Sequence, residues 1–83
     1  MNPEEWMSLG SSAYVMSLAL GTLIRRETDV HVACYVSADP TTHMTHVIVH
    51  TPWGEHAIRY VHAQNSIHMG DLNDVVVQIK LMK

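Results

Sequence analysis

"HMTHVIVHTPWGEHAIRYVH", residues 43–62, decides the fold. Apolar and polar residues alternate on both sides of "TPWGE", which predicts two strands joined by a tight turn. Pro52 at the second turn position and Gly54 at the fourth match a three-residue loop, a type I turn closed by a left-handed glycine. That loop sets Thr51 opposite Glu55, and the next facing pairs are His50–His56, Ile48–Ile58, His46–Tyr60 and Met44–His62. Val47, Val49, Ala57 and Val61 are then expected inward, with Arg59 an awkward neighbour. Ile48, Ile58, Tyr60 and the histidines fall on the opposite, outer face.

Outward from the hairpin, "DVHVACYVS" also alternates, with Val30, Val32, Cys34 and Val36 on one face. "SADPTTH" reads as a loop punctuated by Asp39-Pro40. "VVVQIKLM" is expected as a last strand with Val75, Val77, Ile79 and Leu81 on one face. Before all of these comes a helix signal: Asn2 as N-cap, Pro3 at the first helical position, Glu5 three residues after the cap. Apolar residues recur at Trp6, Leu9, Ala13, Met16, Leu20 and Leu23, and Arg25-Arg26 suit the carbonyl end. Gly10-Ser11-Ser12 propagates a helix poorly and is a place for a kink. The expectation is a single α+β domain over residues 1–83. Its N-terminal helix packs on an antiparallel sheet of about four strands, near 29–37, 44–51, 55–63 and 74–82.

A chain of 83 residues has a thin stability margin, and self-association, most simply as a dimer, is a natural remedy. Five Lys and Arg against a net charge of −3 make no clustered basic face, which argues against nucleic-acid binding. Charging all seven histidines would move the formal sum from −3 to +4, so the surface field depends strongly on pH between about 5 and 7. Met7–Ile24 is uncharged for eighteen residues, but two glycines and several Ser and Thr dilute it, and no membrane span is expected. The single Cys34 forms no intrachain disulfide and suits a reducing, cytoplasmic setting. The helix followed by strands, with Pro52-Trp53 at a hairpin tip, resembles helix-wrapped sheets of the cystatin type. "SADPTTH" lacks the glycine-containing inhibitory motif of such proteins, so the resemblance implies no function.

The five histidines within residues 43–62 raise the question of metal. His46-x3-His50 has helical ligand spacing, yet on a strand four residues span about 13 Å, too far to share one ion. His50 and His56, if they face each other, are close enough for a shared zinc but lack a visible third ligand. Cys34 falls on the core face, "LGSSA" is no nucleophile elbow, and Asp71 and Asp74 suit a turn as well as catalysis. No catalytic centre is expected. Ile48, Ile58 and Tyr60, with Trp53 at the tip, instead make an apolar strip of the kind that contacts a partner. The expectation is a non-enzymatic protein-binding module, for example a small inhibitor or antidote of a phage or mobile element. A histidine-based metal-binding or pH-responsive module and a small enzyme with a subunit-interface site are the alternatives.

Overall fold

The structure, a computed structural model, describes residues 6–7 and 12–83. The elements run β1 (Trp6–Met7), α1 (Ala13–Thr28), β2 (Ala33–Asp39), β3 (Met44–Thr51), β4 (Gly54–Val61), a 3-10 turn (His62–Gln64), β5 (Ser66–His68) and α2 (Met69–Met82). All strand pairs are antiparallel, in the order β1-β5-β4-β3-β2. The α+β class with a helix packed on an antiparallel sheet is therefore as expected.

Helix α1 starts later than the Asn2-Pro3 signal implies. Trp6 and Met7 pair with β5, and the N-cap is Ser12, whose Oγ accepts the Val15 N–H at 3.2 Å. The Asn2 cap and the kink at Gly10-Ser11 lie outside the described residues. The helix ends at Asp29, in the left-handed conformation, whose N–H donates to the Arg25 carbonyl at 2.9 Å. Met16, Leu20 and Ile24 recur at every fourth residue and are fully buried. No helix among the described residues is long and apolar enough to cross a membrane.

The expected last strand is a helix. Val75 and Ile79 are buried as anticipated, but with Leu72 they form a 3-4 spaced stripe, while Val77 and Leu81 are 54% and 80% exposed. His68 caps α2 by accepting the Asp71 N–H at Nδ1, 3.2 Å away. Four β-branched residues in 75–79 favour a strand locally. Burial of the Leu72-Val75-Ile79 stripe against the sheet outweighs that preference, a tertiary override of a weak propensity.

The hairpin register differs by one residue. Its loop has two residues, Pro52 and Trp53, and Thr51 faces Gly54 rather than Glu55. Thr51 Oγ1 holds this turn: it accepts the Trp53 N–H at 3.1 Å and donates to the Gly54 carbonyl at 2.8 Å. Gly54 has φ +139°, a conformation that side chains rarely adopt. A one-residue slip turns every side chain of β4 to the other face. Ile58 and Tyr60 therefore lie inward beside Val47 and Val49, at 0% and 6% exposure, while Ala57 and Arg59 face out. The three-residue register would bury a cation and expose an isoleucine and a tyrosine, each worth roughly 1.5–3 kcal/mol when buried.

Both helices pack on the same face of the sheet, where the core joins Met16, Leu20 and Ile24 to Val47, Val49, Ile58 and Tyr60, and to Leu72, Val75 and Ile79. Lys83 fastens the helix layer by donating to the Thr28 carbonyl at 3.1 Å, with Asp29 at 3.5 Å.

Candidate interaction surface

With both helices on one side, no helix among the described residues covers the other face of the sheet. Tyr35 of β2, Met44 and Ile48 of β3, and Ala57 of β4 supply its apolar area; His46, His50, Glu55 and Arg59 supply its polar area. Tyr35 and Met44 are 45% exposed, and Ile48 is half-buried between its neighbours. The Tyr35 hydroxyl reaches across β3 to donate to Glu55 Oε2, and this bond raises the phenol's pKa. His50 Nδ1 lies 3.7 Å from Glu55 Oε1, so the same carboxylate anchors an aromatic and a histidine. Trp53 is 45% exposed at the hairpin tip.

Of the residues expected to form a contact strip, Ile48 and Trp53 remain accessible. Ile58 and Tyr60 do not, and the strip as drawn from the sequence does not exist. Tyr60 donates to Asn65 Oδ1 at 2.6 Å and meets the His62 ring edge-on, 4.8 Å between centroids. The expected zinc pair is also separated. His50 faces Glu55 and His56 faces Val49, so the two rings project to opposite faces of the sheet. Among the described residues no group of three or more His, Cys, Asp or Glu is arranged to hold a metal ion.

Cys34 is half-buried on the helix side. Burial pushes its thiol up to about 11, with Arg25 opposing weakly, so it is protonated at neutral pH and a poor nucleophile. Set against known protein families, curated proteins and solved structures, the chain matches none of them.

A second polar cluster sits where β4 outruns the three-residue β5. Asp71, at the start of α2, accepts from the Arg59 backbone N–H at 3.0 Å, from Nε at 2.8 Å and from Nη2 at 3.0 Å. The carboxylate thus takes the Arg59 N–H just beyond the Tyr60–Ile67 pair of β4 and β5. These bonds hold the Asp71 pKa down at about 2. His68 Nδ1 lies 3.1 Å from Asp71 Oδ1 and 3.0 Å from Arg59 Nη2. His68 Nδ1 thus lies within hydrogen-bond reach of the Asp71 N–H, the Asp71 carboxylate and the Arg59 guanidinium together. The cluster ties α2 to the sheet. Its sequence signal was Arg59 itself, a cation on the face expected inward; Asp71 read only as a turn residue.

Proposed function

We propose that the chain is a non-catalytic protein-interaction module that engages its partner through the uncovered sheet face and the Trp53 tip. The observation that carries this reading is the one-sided packing: both helices cover the same face. The opposite face presents Tyr35, Met44 and Ile48 rimmed by His46, His50 and Glu55. Aromatic and aliphatic anchors within a polar rim are the composition that contact surfaces favour. Occluding a target, as a small inhibitor or antidote does, is the form of action that fits a surface of this kind. A single half-buried thiol suits work in a reducing compartment such as the cytoplasm.

The test is an affinity capture from host lysate, read by mass spectrometry, with wild type beside a Tyr35→Ala/Trp53→Ala variant. Both substitutions are at exposed positions, so the variant is expected to keep the wild-type circular dichroism. A protein retained by wild type and lost from the folded variant supports the reading. Identical capture by both, or none by either, removes it.

A further inference from the structure

We propose that β2 pairs antiparallel with β2 of a second copy of this chain, about a two-fold axis at Val36. The proposal stands on the edge of the sheet and is independent of the uncovered face.

Two hydrogen bonds establish which backbone groups of β2 point outward. The Arg59 N–H points away from β3, toward Asp71, so the odd residues of β4 turn from β3 and the even ones turn toward it. Carried through the register of β3 and β2, this parity turns the odd residues of β2 to β3 and the even ones to the open edge. Val32 confirms it, since its carbonyl is reached from outside by Arg25 Nη1 at 2.9 Å. Cys34, Val36 and Ala38 therefore present their N–H and C=O groups along a free edge. No hydrogen bond reaches those groups among the described residues.

Between Arg25 at the Val32 end and Pro40 at the other, the edge lacks the usual guards against pairing. Ala33–Ala38 contains no charged residue and no proline, and its pairing with β3 runs without a bulge from Ala33 to Asp39. Such a strand is a template for another. A two-fold axis at Val36 sets Cys34 against Ala38 of the partner subunit, Val36 against its counterpart, and Ala38 against the partner's Cys34. Every outward group on these three residues then has a mate.

The flanking residues select this register. It brings Val32 opposite Pro40, which has no N–H to offer, and the Val32 carbonyl is already taken by Arg25. Slipping two residues one way puts Pro40 against Cys34, leaving the Cys34 carbonyl without a donor. Slipping two the other way aims the Ala38 N–H at the occupied Val32 carbonyl.

Side chains agree with the backbone. Tyr14, Leu18 and Arg25 recur at steps of four and seven along one face of α1, and Arg25 reaches the outer edge of β2. Tyr14 and Leu18, 68% and 53% exposed, thus stand over the same edge as Val36, itself 36% exposed. Pairing would bring these apolar groups toward their counterparts across the axis. Asp39 closes the strand at the opposite end from Arg25, so antiparallel pairing gathers opposite charges at both ends and like charges at neither.

The chain is expected to sediment at twice its own mass at micromolar concentration. Val36→Pro removes an N–H that the monomer does not use, at an edge position that tolerates proline. Val36→Lys sets two cations face to face at the axis. Each is expected to raise the dimer dissociation constant by about 100-fold or more, while circular dichroism shows the fold intact. Ala38→Cys is expected to crosslink as a dimer under diamide through the partner's Cys34, and to lose the crosslink when Cys34→Ser is added. A wild-type chain that sediments as a single copy overturns the proposal. So does a dimer that survives Val36→Lys. A crosslink that persists without Cys34 overturns the register.

Discussion

At Asp71 a single carboxylate takes three hydrogen bonds from Arg59 and begins a helix whose cap is His68. Its side chain is 20% exposed, so water screens the pair only in part. Asp71→Asn is expected to cost about 1–2 kcal/mol, read by denaturant melts. Because the folded pKa, about 2, lies below the ordinary 3.8, the unfolded chain binds more protons between these values and the contribution grows with pH there. It is complete above about pH 4 and lost as pH falls through about 2. The stability gap between wild type and Asp71→Asn should close over that window. A constant gap from pH 5 to pH 2 would assign the effect to packing rather than charge.

Among the elements, α2 is stitched on at its first turn, and Gly70 is part of the stitch. A Cβ there would lie 2.9 Å from His68 Cε1 and 3.3 Å from its Nδ1. Alanine is the better helix former by about 1 kcal/mol, yet Gly70→Ala is expected to lower the melting temperature. It pushes the capping ring off Asp71 N–H and Arg59. A raised melting temperature would show that the ring can turn aside freely.

The elements also show what the sequence discloses. Alternation over 44–51 and 55–63 pointed to both hairpin strands, the second of which ends at Val61, and Met16, Leu20 and Val47 were legible as core from periodicity alone. The register was not, because "TPWGE" fits a loop of two residues or three and local turn chemistry does not choose. Arg59 chooses, since only the two-residue loop brings it out to Asp71, a partner 12 residues away. The same slip moved Ile58 and Tyr60 from contact strip to core and parted His50 from His56. Helix α2 was hidden by Val75-Val76-Val77, whose β-branched run masks the spacing of Leu72, Val75 and Ile79.

For the molecule as a whole, both helices cover the same face of the sheet. The helix face is filled; the other face holds exposed Tyr35 and Met44. The β1–β5 side ends in short strands, whereas β2 is a seven-residue edge strand whose outward groups take no hydrogen bond among the described residues. Joining two copies at β2 would make the two uncovered faces continuous, and a partner with a matching repeat would gain by multivalency without any new contact.

Helix α2 follows every strand in the chain and supplies Leu72, Val75 and Ile79, which roof over Ile58, Tyr60 and Ile67. A nascent polypeptide that has emerged only through β5 has an unroofed half-core, and the ribosome must deliver α2 before the native state can form. Folding of this domain is thus expected to begin after synthesis of α2 rather than alongside it. Stalled nascent chains ending near residue 68 should be digested rapidly by protease. Chains with α2 clear of the exit tunnel should resist it.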